Sequence, residues 1–341
     1  MQNWQSMNKE KVLIIGAGIS GLYAAMLLQE QCDVTIAEAR ETTGGRVMDV
    51  GGHDLGPSWV WGHQKNILAL INTLDLELME QYTEGQALYD SPEGVQRFTS
   101  PASAPSARIK GGIFALVHAL AEKVDASIVL GTKVLSVTQN ETKLLVVTDN
   151  ETYEVDRVIS TLPPRLAAQS IVYTPELPEA LKAQFQNIPT WMGYSAKCVI
   201  EFEEVFWREE GLSGFAFSHL GPLAEIHDAC TEDKTALFGF LHSQAKLDNI
   251  EAKILEQLIR IYGEKASKPK NIYLIDWKKE QYTSTLLDAL PLKEHPTYGF
   301  DASHFDGKLL FSGTESAFQE GGYMEGAVNA AKDAASKFGV S

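Results

Sequence analysis

The sequence predicts an α/β protein in two parts: a discontinuous dinucleotide-binding domain of Rossmann type, and an α+β domain built on an antiparallel sheet. Three observations lead there. Residues 11–46, KVLIIGAGISGLYAAMLLQEQCDVTIAEARETTGGR, run strand, glycine turn, helix, strand, acidic stop and second glycine turn. Residues 177–273 instead alternate strand candidates (195–202, 214–218, 236–241) around one clear helix, 250–262. The chain then returns to strand (308–311), turn (312–315) and helix (323–338). The first domain is therefore expected from residues 1–77, 107–178 and 277–341, and the second from 78–106 and 179–276.

Each piece of the opening segment suits an ADP group. The apolar run 12–15 is a buried parallel strand. Gly16, Gly18 and Gly21 have the G-x-G-x-x-G spacing. The first permits a tight turn, the second lets backbone approach a pyrophosphate, and the third lets helix pack on strand. Ile19 and Ser20 open a helix whose first N–H groups face the phosphates. Strand 34–37 ends at Glu38, where a carboxylate can accept both ribose hydroxyls and repel a 2′-phosphate. This cradle by itself fits NAD as readily as FAD.

Residues 110–124 read as a glycine turn opening an amphipathic helix, 128–129 and 134–137 as strands, and 144–148 with 152–155 as a hairpin. A buried strand, 158–161, is stopped by Pro163 and Pro164. Residues 99–107, TSPASAPSA, read as a loop. The N-terminal MQNWQSMNKEK reads as a disordered lead, with Met7 an alternative start.

A net charge of −16 argues against nucleic acid and anionic membrane surfaces, and suits a cationic substrate. No apolar run is long enough to cross a bilayer. Three scattered cysteines make no metal pattern and fit a reducing cytoplasm. No G-x-S-x-G or H-E-x-x-H motif is present.

Taken in order along nearly the whole chain, these motifs resemble the flavin-dependent amine oxidases related to monoamine and polyamine oxidases. EARETTGGRV resembles the segment in which Gly44, Gly45 and Arg46 would cover the FAD pyrophosphate, with Ala39 and Arg40 beside the adenosine. DLGPSWVW resembles the loop along the flavin, implying contacts from Gly56, Pro57, Ser58 and Trp59. The Gly111–Gly112 pair and Lys133–Val134 match the backbone that holds adenine. GYSAKCVIEFEEVFWR places Lys197 where the family's lysine holds a water against flavin N5. FSGTES and GYMEGAVNAAKDAA resemble the closing motif. There Gly313 and Glu315 would lie near the ribityl chain, and Tyr323 and Met324 would begin a helix under the pyrimidine.

Alternation along 195–202 puts Lys197 on one face with Ser195 and Val199, and Ala196, Cys198 and Ile200 on the other. Both faces are partly apolar, so Lys197 fits either an exposed face or a cavity. The resemblance chooses the cavity. It also makes Trp277 a tryptophan close to the flavin and Tyr323 one wall of an amine cage. Trp59 and Trp61 fit either a cavity wall or core packing, and core packing is the preferred reading.

Two departures stand out. A gap-free alignment puts Leu286 where some members carry a flavin-linking cysteine, implying non-covalent FAD. It puts Leu287 at the second cage wall, with Tyr282 or Tyr298 as substitutes. The span between Asn66 and Lys110 is short for a substrate lid, which fits an open cavity, a bulky substrate or closure by a partner chain such as a second copy. The resemblance implies oxidation of a primary or secondary amine or amino acid to an imine, by hydride transfer to flavin N5 and reoxidation by O2 to peroxide. The alternative is a flavin desaturase or dehydrogenase using another acceptor. A flavoprotein kept for binding alone ranks last.

Overall fold

A computed structural model describes residues 9–100 and 105–340. Residues 1–8 of the N-terminal lead, Met7 among them, and the centre of the 99–107 loop lie outside the described residues. The end of the expected lead is ordered: Glu10 and Lys11 open the first strand, paired with Cys32 and Asp33.

Parallel pairing of buried apolar strands builds the first layer. Its six strands run in the order Ser127–Val129, Cys32–Ala37, Glu10–Ile15, Arg157–Ser160, Leu309–Phe311 and Ser303–His304. All neighbours pair in parallel except the last two. Alternation sends Val12 and Ile14 to one face and Leu13 and Ile15 to the other. The first face lies under helices Ile19–Leu28, Phe114–Lys123 and Met324–Ser336. The second lies under a four-stranded sheet, Thr152–Val155, Lys143–Thr148, Val134–Asn140 and Val172–Thr174. Start, middle and end of the chain thus meet in one sheet.

The seven-stranded second sheet runs Asn271–Asp276, Ala196–Phe202, Thr235–Leu241, Leu223–Asp228, Leu212–Ser218, Gln86–Ser91 and Gly94–Phe98. Its pairs are antiparallel except Leu212–Ser218 with Gln86–Ser91. Helix Ile250–Tyr262 covers one face through Ile250, Ile254, Leu258 and Ile261, which share one helix side. Gly263, at φ +84, ends it. Cys198 and Ile200 pack under that helix, while Val199 and Phe238 face Leu55 and Trp59. A smaller sheet joins Val60–Trp61, Ser106–Ile109 and Leu78–Glu80. It straddles the expected divisions at 77 and 107, and it takes Ser106 and Ala107 out of the expected loop.

Candidate active site

A cavity of about 430 Å³ opens between the two large sheets. Gly16, Gly18, Ile19, Ser20, Glu38, Ala39, Arg40 and Val134 line it. So do Gly44, Gly45, Arg46, Gly56, Pro57, Ser58 and Trp59, and Lys197, Trp277, Tyr323 and Met324. Gly21, Gly313 and Glu315 are not among the lining residues.

Backbone geometry explains the glycine positions. Gly16 sits at φ +102, and its N–H donates to Ala37 O at 2.8 Å. A Cβ on Gly21 would lie 2.0 Å from Gly16 O, so that glycine serves helix packing rather than the cavity wall. Gly18 has no such crowding, and the helix beginning at Ile19 has neither a side-chain cap nor an acid in its first turn. Its first N–H groups are free for an anion. The second turn lies against the first: Gly18 bridges Gly44, and Gly44 N–H donates to Ala17 O at 2.9 Å.

Two acids have different duties. Glu38 is buried, accepting from Ala17 N–H at 2.7 Å and Arg40 N–H at 2.8 Å. A carboxylate has about four acceptor positions, so capacity remains for ribose. Glu315 is fully buried behind Arg46 and grips it at 2.8 and 3.0 Å. Burial opposes the Arg46 charge, but Glu315 outweighs it and holds the guanidinium above its ordinary pKa. Glu315 therefore acts on the cavity through Arg46, not by the direct contact expected. The Gly111–Gly112 pair is also displaced from its expected role. A Cβ on Gly112 would meet Asp54 Oδ1 at 2.9 Å, and neither glycine lines the cavity.

Lys197 is 2% exposed. Its Nζ donates to Gly56 O at 2.9 Å and Ser58 Oγ at 2.5 Å, and lies 4.4 Å from the Phe238 ring centre. Burial pushes its pKa down to about 7, against the pull of Asp54. A neutral amine keeps two N–H donors and gains a lone pair. Gly56 and Ser58 take the donors, which leaves the lone pair for the cavity.

Aromatic rings crowd the same region. Trp277 Nε1–H donates to Leu55 O at 3.2 Å. Tyr323 precedes the helix Met324–Ser336 without a side-chain cap bond and stands edge-on to Trp61 at 6.1 Å and Trp191 at 6.4 Å. Its ring stacks parallel to His295 at 5.0 Å. Trp59 and Trp61 line the cavity, and Trp59 also packs on the core cluster of Leu55 and Phe238. Trp61 lies on the short strand Val60–Trp61 and Trp59 just before it, on the segment that also carries Gly56. Leu286 is 93% exposed and Leu287 46% exposed, on a 3₁₀ turn outside the cavity. The gap-free alignment misplaced both. Tyr282 does line the cavity, whereas Tyr298 turns its hydroxyl to Pro189 O at 2.7 Å. Trp191 and His295 carried no motif signal. No cysteine lines the cavity among the described residues, which also contain no metal-ligand cluster and no helix able to cross a membrane.

Comparison with known proteins follows the same lines. Residues 92–337 match the flavin containing amine oxidoreductase family, and residues 14–74 an NAD(P)-binding Rossmann-like domain. The chain belongs to that family of flavin-dependent oxidoreductases. It is 31% identical to a probable flavin-containing monoamine oxidase A of Dictyostelium discoideum over 235 residues, 65% of this chain and only 50% of that protein. It is 26% identical to flavin-containing amine oxidase A of Sus scrofa over 95% of this chain and 84% of the relative. A structure of putrescine oxidase bound to putrescine superposes with TM-score 0.83 at 23% identity, covering 97% of this chain and 99% of the other. That last likeness concerns the fold.

Proposed function

We propose that the protein oxidises a primary or secondary amine, or an amino acid, using FAD held without a covalent bond. The buried Lys197, satisfied by Gly56 and Ser58 and open to an aromatic-walled cavity, carries this reading. The residues suit the cofactor. Free N–H groups at Ile19 and Ser20 would hold the diphosphate, with Glu38 taking the ribose hydroxyls and Arg46 covering from the second turn. The uncapped start of helix Met324–Ser336 offers its positive end to the ring system. The absence of a lining cysteine supports a non-covalent bond.

When bound, FAD supplies the acceptor for a hydride equivalent from the amine α-carbon and passes the electrons to O2 as peroxide. The protein orients and excludes. Tyr323 and its aromatic neighbours hold the amine against a π face, and the rings displace water. Neutral Lys197 accepts a hydrogen bond from water or from the amine. The imine leaves and hydrolyses to an aldehyde or ketone. We assign FAD to the domain holding the six-stranded sheet and substrate to the domain holding the seven-stranded sheet. The three buried free thiols support placement in the cytoplasm. The test is peroxide release by the purified, flavin-loaded protein across a panel of amines and amino acids. Absence of both peroxide and flavin bleaching with every compound would remove the assignment.

A further inference from the structure

The lysine at the centre of the site has no anionic partner in contact. Among the described residues, no carboxylate comes within 4 Å of its Nζ, and both its acceptors are neutral oxygens. Its neighbours on the two flanking strands are Phe240 and Ile275, which carry no charge. On its own strand Cys198 has its thiol pushed up to about 12 by burial, so it is neutral too.

Two buried charges are tied to the segment that accepts from the lysine. Asp54 is 6% exposed and ends the strand His53–Asp54, two residues before Gly56, whose carbonyl accepts from the lysine. Ile113 N–H holds its Oδ1 at 2.8 Å, and the Gly112 backbone wraps it. Its Oδ2 is buried with no hydrogen-bond partner. Arg108 is 5% exposed, with Nη2 at 4.0 Å from Asp54 Oδ2, beyond hydrogen-bond range. Arg108 Nε is likewise unpartnered, and Nη1 is turned to Cys230 O at 3.1 Å. The aspartate is therefore only half compensated by its arginine, and burial raises its pKa above the ordinary carboxylate value, against the pull of Lys197 and Arg108. An incompletely neutralised buried carboxylate projects its field into a low-dielectric interior.

We propose that Asp54 is a positioning residue for Lys197: its carboxylate, opposed by Arg108, governs whether that lysine carries a proton when substrate arrives. Asp54 pulls the lysine toward the cation and Arg108 pushes it toward the free amine. Burial does the rest. Without Asp54, Lys197 stays neutral to lower pH. Without Arg108, it holds its proton to higher pH. The charged groups brought to bear on Lys197 by the surrounding elements are these two, together with the neutral thiol of Cys198. The proposal rests on the amine-oxidase reading only for its activity readout.

The experiment uses the full-length, flavin-loaded protein. Asp54→Asn and Arg108→Gln are made with and without Lys197→Met. Denaturant unfolding is followed from pH 6 to pH 9, with the pH profile of flavin reduction by an active amine alongside. The two single variants should move the Lys197 transition by about one pH unit or more, in opposite directions, as nearby charges do. Both shifts should vanish in the Lys197→Met background, and Asp54→Glu should restore the wild-type profile. A pH-independent loss of stability in Asp54→Asn, or a shift that survives removal of Lys197, would overturn the proposal. If Asp54→Asn does not fold, Arg108→Gln decides by the sign of its shift. If no amine reduces the flavin, the proposed activity fails and the unfolding curves still decide.

Discussion

Arg46 and Glu315 form a two-point pair at 2.8 and 3.0 Å, although 269 residues separate them. The arginine lines the cavity and the glutamate is wholly buried behind it. The chain's first glycine-turn unit is thus locked to its last motif by one ion pair. Glu315→Gln should leave the guanidinium without its charge partner at a cost of about 1–3 kcal/mol. Thermal unfolding should shift downward, and flavin fluorescence should appear in solution at lower temperature than in wild type. Unchanged flavin release would show that the pair does not hold the cofactor side of the cavity.

Lys197 makes the strongest catalytic prediction. Lys197→Met removes the lone pair and both hydrogen bonds, leaving Gly56 O and Ser58 Oγ without their donor. The variant should retain FAD and lose flavin-reduction or reoxidation rate by about 10²-fold or more, the scale of general acid–base groups. Rapid mixing of flavin-loaded variant with amine checks this, and wild-type rates would remove the proposed role.

The same lysine sets a pH dependence with a definite sign. Burial lowers its pKa from 10.5 to about 7. Between those values the unfolded chain binds a proton that the folded chain does not, so stability rises with pH across that window. Relative to Lys197→Met, wild type should gain on the order of 5 kcal/mol from pH 7 to above pH 10. Flavin reduction should likewise rise through about pH 7, as the lone pair becomes available. Denaturant midpoints for the two proteins at several pH values provide the check.

His295 stacks on Tyr323 and touches Trp191 at 4.5 Å. A ring pair of this kind is worth about 0.5–1.5 kcal/mol. His295→Ala should therefore change KM for the amine by about 2- to 10-fold while kcat moves less. Equal KM values for wild type and variant would place His295 outside substrate recognition.

Flavin linkage has a direct chemical test. Acid precipitation should leave the yellow colour in the supernatant, since no cysteine among the described residues lines the cavity. Colour retained in the pellet would contradict non-covalent binding.

Much of this was legible in the sequence, for physical reasons that differ by residue. Glycine spacing specifies backbone geometry directly, so Gly16, Gly18, Gly44 and Gly45 could be read locally. Period-two alternation placed Lys197 with Val199, opposite Cys198 and Ile200, and the sheet keeps that division. Alternation could not say which face met a cavity, because both were apolar. The closing motif marks Glu315 as a neighbour of the cofactor, but its partner Arg46 is remote in sequence and no local pattern records the pair. Trp191 and His295 leave no mark in the sequence pattern, because loop residues have no period. Leu286 and Leu287 were misplaced because a gap-free alignment assumes a loop path, and here a capping box between Thr285 and Asp288 turns both leucines outward.

The central claim is that this cavity brings an amine to a flavin beside Lys197. It is tested most directly by mixing the flavin-loaded protein with amines of graded size under anaerobic conditions and following flavin absorbance. The account predicts rapid bleaching by at least one amine in wild type and severe slowing in Lys197→Met. An unchanged spectrum with every amine, or equal bleaching in both proteins, would contradict it.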